Sequence, residues 1–171
     1  MFDQEIRWPT LFALAVLVSL MQIGLETGGV WFGFPARPDW VWCVAFYAVL
    51  RAAPVSALIA FASCGIVRDL FLGPRLGSAA IAYIVVGWLA LSWRSFASER
   101  VFLTTTLLAG TTAFLAALLR HALDYGPLAY TLIDRVFFVA VGDGLLTGAA
   151  YPFLAVLLSL RAFRPCQERL G

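Results

Sequence analysis

Long stretches without a charged residue are the feature that most constrains how this chain folds. Of the 171 residues, 62% are apolar and 13% are charged. A soluble domain is about 45–50% apolar and about 25% charged, so a water-soluble globule is excluded. Because a charge at the centre of a bilayer is costly, the uncharged stretches predict membrane-spanning helices. They are Trp8–Leu25, Trp40–Leu50, Ala52–Val67, Leu76–Trp93, Val101–Leu119 and Gly144–Leu160.

These stretches predict one integral membrane domain over residues 1–171, an all-α polytopic bundle of about six transmembrane helices. A helix needs about 20 apolar residues to cross the hydrocarbon core, so the second span is short. Asp39 and Arg51 at its ends are expected to reach toward the two interfaces. The third and last spans reach full length only by carrying charged residues, namely Arg68, Asp69 and Asp143. The approximate spans are 8–25, 38–51, 53–72, 76–93, 101–120 and 136–160.

The arginines predict the orientation of the chain. Six crossings place both termini on one side, and the connections on that side carry seven arginines against five on the other. Positive charge is enriched on the cytoplasmic side of membrane proteins, so both termini are expected in the cytoplasm. The seven are Arg7, Arg51, Arg94, Arg100, Arg161, Arg164 and Arg169; the five are Arg37, Arg68, Arg75, Arg120 and Arg135.

Several function classes find no support in the sequence. The net charge is only +2, too little for a basic surface that neutralises nucleic-acid phosphates. No Ser-His-Asp set, H-E-x-x-H motif or phosphate-binding loop occurs. The single histidine, His121, cannot build a metal site, and the cysteines at 43, 64 and 166 have no metal-binding spacing. We therefore expect no enzymatic activity and no metal or cofactor.

The densest polar cluster lies between the third and fourth spans. At helical spacing Gly65, Arg68 and Asp69 share a face that should point inward. Gly73 is expected to cap the third helix in a left-handed conformation, Pro74 to stop it, and Gly77 to allow close packing at the start of the next helix. The sequence thus predicts a tight helical hairpin near a membrane surface.

Two interpretations of Arg68 and Asp69 are open. In one, Arg68 reaches the interface and Asp69 pairs with Arg68 or Arg75, which only holds the hairpin together. In the other, Asp69 pairs across helices and fixes a surface that a partner protein recognises. An acid inside a membrane is a candidate functional residue, and this favours the second interpretation.

A second polar set lies on the last span. Asp143 stands between Gly142 and Gly144, which would let another backbone approach closely, and Arg135 is about two turns earlier on the same helix. We expect a cross-helix partner for Asp143, either Arg68 or Arg120. The alternative is an ordinary hydrogen bond to a hydroxyl of the fifth span, which carries Thr104, Thr105, Thr106, Thr111 and Thr112.

The connection before the second span ends in residues that can begin a helix. Pro38 and Asp39 are expected to start the short second helix, with Asp39 near its positive N-terminus. The preceding segment combines glycines, prolines and aromatic residues, so it is expected to pack on the outer face or against a partner.

Two motifs stand out in the first half of the chain. They are Arg37-Pro38-Asp39 with Tyr47, and Gly65-x-x-x-Asp69-x-x-x-Gly73-Pro74-x-x-Gly77-x-x-Ala80. Through them the chain resembles the MreD family of the bacterial rod-shape machinery. The similarity covers Pro35 to about Trp88, and Arg75 within the turn departs from the family pattern.

The resemblance implies a non-enzymatic scaffold in the bacterial inner membrane that takes part in peptidoglycan synthesis and cell shape. Its expected partners are an MreC-like bitopic protein, MreB filaments, the RodA glycosyltransferase and a class B penicillin-binding transpeptidase. The motif residues Pro38, Asp39, Gly65, Asp69, Gly73, Pro74 and Gly77 are then fold-defining or partner-facing, and Arg68 belongs with them.

The family's fold is similar to that of the substrate-binding S subunits of vitamin transporters, which supplies the alternative function. An S subunit would need a polar pocket and a face of small residues on the first helix. Ala15 and Ser19 are the one small pair there.

Overall fold

The computed structural model describes residues 8–27, 36–72, 75–94, 102–125 and 133–159, which form six α-helices. Four of them, α1, α3, α5 and α6, are long and apolar enough to cross a membrane. The expected all-helical membrane bundle is confirmed. The helices are α1 (Trp8–Thr27), α2 (Trp40–Arg51), α3 (Pro54–Leu72), α4 (Ser78–Ser92), α5 (Phe102–Tyr125) and α6 (Ile133–Ser159).

Two helices are short, where the sequence predicted one. Besides α2 with 12 residues, α4 has 15 and spans about 22 Å at 1.5 Å per residue. The helix α5 continues past the predicted end at residue 120 to Tyr125, and α6 begins at Ile133 rather than at 136. The apolar stretch of α5 runs from Leu103 to Tyr125, past the predicted end, because a charge that finds a partner inside a bundle need not end the helix. That of α6 runs from Val136 to Val156 and so begins where the sequence predicted.

The short helix α2 forms the centre of the bundle. All nine residues from Val41 to Val49 are buried, and α2 packs against each of the other five helices. A helix that is apolar on every side is stable only when protein or lipid surrounds it completely. The remaining pairs in close contact are α1 with α3, α3 with α4, α4 with α5, and α5 with α6.

Aromatic side chains fill the space between α2 and its neighbours. The ring of Trp42 lies 4.9 Å from that of Phe61 on α3 and 4.8 Å from that of Tyr83 on α4. About one turn further along α2, the rings of Phe46 and of Tyr151 on α6 meet edge to face at 5.2 Å. Such ring contacts stabilise the bundle beyond the apolar surface that they bury, and the size of the rings sets the distance between the helices.

Small residues bring the outer helices together in pairs. A side-chain carbon added to Gly65 would lie 2.5 Å from the Ala80 Cα, so α3 and α4 are in backbone contact. A carbon added to Gly144 would lie 2.6 Å from the Phe114 Cβ and 2.9 Å from the Gly110 carbonyl oxygen. In lipid no hydrophobic effect drives helices to associate, so van der Waals contacts at such close distances contribute directly to the stability of the bundle.

Candidate functional site

Asp39 begins α2 inside the bundle. It is the N-cap residue, and its Oδ1 accepts a hydrogen bond from the Trp42 backbone N–H at 3.1 Å. Pro38 precedes it and is buried. An aspartate at this position binds one of the free N–H groups of the first turn and lies against the positive end of the helix dipole. The expectation that these two residues start α2 is confirmed.

The other oxygen of Asp39 joins α2 to three more helices. Asp39 Oδ2 accepts from Arg68 Nε of α3 at 2.8 Å and from the Tyr83 hydroxyl of α4 at 2.7 Å. The Nη1 of Arg120, on α5, is 3.8 Å away. The sequence suggested that Asp39 reaches toward an interface; in the structure its side chain is 14% exposed and is matched inside the bundle by these charged and hydroxyl partners.

Asp143 fixes the chain segment that enters α2. Its Oδ1 accepts from the Arg37 backbone N–H at 2.6 Å, and four residues later the Thr147 hydroxyl accepts from the Asp39 backbone N–H at 2.8 Å. Asp143 lies ten residues into α6, about 15 Å from its start at Ile133. Residues 36–39 thus run along α6, and the backbone N–H groups of Arg37 and Asp39 find partners there.

The cross-helix partner of Asp143 is Arg120, one of the two candidates. Arg120 Nη2 lies 3.6 Å from Asp143 Oδ2. The hydroxyls of Thr111 and Thr112 bind carbonyls of their own helix instead. Only the backbone of Arg135 is described, so any role of its side chain lies outside the described residues.

The glycines beside Asp143 allow the close approaches that the sequence predicted. Gly144 meets α5, and Gly142 faces Ala36 of the segment before α2. A side chain at Gly142 would displace that segment from α6.

Asp69 caps α4 from the neighbouring helix. Its carboxylate accepts from the backbone N–H groups of Gly77 at 2.9 Å, Ala79 at 3.0 Å and Ala80 at 3.1 Å, and the Ser78 hydroxyl is 3.5 Å away. The interpretation in which Asp69 pairs with Arg68 or Arg75 is wrong. The expectation that it reaches across helices is confirmed, but it binds backbone.

Position 77 requires a glycine for a different reason than the one predicted. Its φ is +100°, and a side-chain carbon there would meet nothing within 4 Å. It is needed for a left-handed backbone at the start of α4, where other residues are strained, rather than for close packing. Gly65 makes the close backbone contact instead, with Ala80. Gly73 and Pro74 lie outside the described residues.

Tyr83 and Thr147 were missed as members of this cluster. Thr147 follows Asp143 by four residues and so shares its helix face, a signal that the sequence does carry. Tyr83 stands in an apolar stretch, and only the packing of α4 on α2 brings its hydroxyl to Asp39. Nothing in the order of residues points to that contact.

The remaining polar candidates are structural in the described part of the chain. His121 stacks on Tyr125 with ring centroids 5.9 Å apart, Cys43 and Cys64 are buried free thiols, and no group of metal-ligating side chains is found among the described residues. Ala15 and Ser19 of α1 are both buried in the bundle, so this small pair offers no outer surface.

An apolar groove runs between α5 and α6 on the surface of the bundle. Its volume is about 500 Å³, and its floor is made by the glycines at which the two helices touch. Residues lining it include Gly110, Gly144, Gly148, Ala149, Phe114 and Leu145. Its chemistry suits an apolar chain or helix.

The cluster of Asp39, Arg68, Tyr83, Arg120 and Asp143 therefore joins α2, α3, α4, α5 and α6 at one end of the bundle. Its two acids balance its two arginines. Such a cluster can hold helices in register and can bind a charged group, whereas a nucleophile with an adjacent base is not among the residues that form it. No family model, curated protein or solved structure matches this chain.

Proposed function

We propose that this chain is a non-enzymatic scaffold of the bacterial inner membrane, an MreD-like component of the cell-elongation machinery. In this role it binds an MreC-like bitopic partner and positions a RodA glycosyltransferase and a class B penicillin-binding transpeptidase relative to MreB filaments. Peptidoglycan synthesis is then directed by where the scaffold holds these proteins.

The observation that carries the proposal is what the two acids of the MreD-like motif do. Asp39 and Asp69 each bind backbone N–H groups at the start of a helix and contact a neighbouring helix. Residues used in this way give the bundle a fixed shape. A fixed shape is what a scaffold needs, since partners are positioned only as accurately as the surface that holds them.

The groove between α5 and α6 supports the binding of a partner's single transmembrane helix. The glycines at its floor bring α5 and α6 together and leave an apolar groove beside them, in which a partner helix would gain van der Waals packing, the main contribution to helix association in lipid. We infer that the MreC-like helix lies in this groove.

Co-purification tests the proposal. The chain is expressed with an MreC-like protein and captured from detergent, as wild type and as Ala149→Trp, which fills the groove. We expect at least a tenfold loss of the partner in this variant. The matched control is Ala122→Trp, at an alanine of α5 that is also exposed but lies outside the groove, and it should retain the partner.

Two results would contradict the scaffold. Failure of the wild-type chain to retain an MreC-like protein would remove its central partner. Recovery of an ATPase pair together with a bound vitamin would favour the S-subunit alternative, although the burial of Ala15 and Ser19 leaves that alternative without the small-residue face it needs. If both tryptophan variants retained the partner equally well, the groove would be excluded as the binding site, while the scaffold function itself would stand.

A further inference from the structure

Of the two short helices, only α4 faces out of the bundle. Residues Val41 to Val49 of α2 are all buried, so protein surrounds that helix and its length does not matter to the membrane. On α4, in contrast, a row of apolar side chains three or four residues apart is 41–64% exposed. These side chains are Ile81, Ile84, Val85 and Trp88. Lipid therefore meets α4 directly, and the length of α4 limits how thick the bilayer can be there.

Both ends of α4 are fixed by the backbone. The helix begins after Gly77, whose φ is +100°, and it ends at Ser92, where the chain turns at Trp93. Its 15 residues span about 22 Å at 1.5 Å per residue. The hydrocarbon core of a bilayer is about 30 Å thick, so α4 is about 8 Å too short to cross it.

Neighbouring helices hold α4 at this depth. At its start, the Gly77 N–H donates to Asp69 Oδ2 at 2.9 Å, and Asp69 lies three residues before the end of α3. The start of α4 is thus about 4.5 Å short of the end of α3. Beyond its other end, Arg94 Nη1 donates to the Ala52 carbonyl at 2.8 Å, two residues before α3 begins. Because α4 lies within the length of α3, it cannot slide to either surface.

The arginines that flank α4 do not lengthen it. A basic side chain beside a short span can reach outward to the headgroups and so bridge a thicker bilayer. Here Arg75 Nη1 donates to the Leu123 carbonyl of α5 at 3.4 Å, and Arg94 Nη1 donates to carbonyls at the end of α2. Tilting would shorten the span further. For a single copy of the chain, the remaining response to the mismatch is a thinner bilayer.

We propose that the exposed face of α4 binds a locally thinned bilayer, in which the phospholipids beside Ile81, Ile84, Val85 and Trp88 form a hydrocarbon layer of about 22 Å. On another part of the bundle α1, which packs against α2 and α3, meets the full thickness, because its 20 residues span about 30 Å. The bundle thus makes the membrane uneven around itself. The proposal is independent of the scaffold function, which depends on partner binding alone.

Depth measurements with single spin labels test the proposal. In the full chain carrying Cys166→Ser, a nitroxide at Val85→Cys reports the middle of α4, and one at Leu17→Cys reports the middle of α1. Val85 is 51% exposed and Leu17 is 64% exposed, so both labels face lipid. Cys43 and Cys64 are buried and should stay unlabelled, which the Cys166→Ser chain without a further cysteine checks. Collision rates with oxygen and with a water-soluble nickel chelate give the depth of each label.

The two labels are expected to report different depths in the same bilayer. In dioleoylphosphatidylcholine, the label at position 85 should lie about 11 Å from the edge of the hydrocarbon and that at position 17 about 15 Å, half of each thickness. From dimyristoleoyl- to dierucoylphosphatidylcholine, the depth at position 17 should increase with the length of the acyl chains. The depth at position 85 should change by less than half as much, because the fixed ends of α4 hold the headgroups in place.

Two outcomes would overturn the proposal. One is a label at position 85 that is as deep as the label at position 17 in every bilayer, because the membrane would then keep its full thickness beside α4. The other is a label at position 85 that neither oxygen nor the nickel chelate reaches. In that case protein, such as a second copy of the chain, would cover this face of α4 instead of lipid.

Discussion

At the scale of single residues, Asp39 decides how the bundle is joined. One oxygen binds the first turn of α2, and the other receives Arg68 and Tyr83 with Arg120 close by. A buried ion pair adds little net stability over a well-packed apolar pair, but removing one member leaves an uncompensated charge. The cluster is therefore expected to be sensitive to the loss of any single charge and tolerant of the loss of a matched pair.

Replacement of Asp39 by asparagine tests this sensitivity. Asp39→Asn keeps an acceptor for the Trp42 N–H but removes the charge that faces Arg68 and Arg120, so the free energy of unfolding should fall by about 3 kcal/mol. Unfolding in mixed micelles measures it. The double variant Asp39→Asn with Arg68→Gln should recover part of the loss, and an unchanged stability of the single variant would show that the cluster carries no buried charge of consequence.

At the scale of helices, the hairpin of α3 and α4 is held by a cap that comes from a neighbour. The start of α4 has no capping side chain of its own, because Gly77 is the N-cap residue. Asp69 of α3 supplies the acceptor instead, and it can do so because Gly65 lets α3 lie against Ala80. The positive φ of Gly77 and the absence of a side chain at Gly65 are thus parts of one arrangement.

A comparison of two buried aspartates tests this cap. Asp69→Ala removes the acceptor for three backbone N–H groups, and the free energy of unfolding should fall by about 2 kcal/mol. Asp124 is also buried, but its Oδ1 has no hydrogen-bond partner, so Asp124→Ala removes no hydrogen bond at that oxygen and should not lower the free energy of unfolding. Equal losses in both variants, measured by unfolding in detergent, would refute the capping role.

At the scale of the whole molecule, the ends of the helices fall into two groups. The charged cluster joins the starts of α2 and α4 to the last turns of α3 and α5. At the opposite end, the Arg94 side chain that follows α4 binds the carbonyls of Val49 and Ala52 at the end of α2. Cations near the ends of helices are favourable because they offset the negative end of the dipole. The helices α2, α3, α4 and α5 thus alternate in direction.

This arrangement makes the topology testable in cells. We expect phosphatase fusions at Gly28 to be active outside the cytoplasm, and fluorescent-protein fusions after Arg51 and at the C-terminus to be fluorescent inside it. The physical reason is the excess of arginines on the side of the termini. A phosphatase fusion that is active at the C-terminus would overturn both the count of six crossings and the orientation.

The sequence by itself determined the class of the fold, because the stretches between charges are long and apolar whatever the helices pack against. It also identified most residues of the cluster, since a charge in such a stretch must find a partner, and Arg120 was a candidate for Asp143 for that reason. Gly142 and Gly144 were predicted to allow a close approach, whereas at the hairpin this role was predicted for Gly77 and falls to Gly65.

Only the tertiary structure decided which groups meet. Arg68 and Asp69 are neighbours in sequence, yet consecutive residues of a helix point about 100° apart, so one faces α2 and the other α4. The central position of α2, the role of Tyr83 and the backbone cap made by Asp69 all depend on how helix ends come together. The contacts between helix ends join residues that are far apart in the sequence, such as Asp39 and Thr147, which are 108 positions apart. They therefore produce no recognisable pattern in the sequence of any single helix.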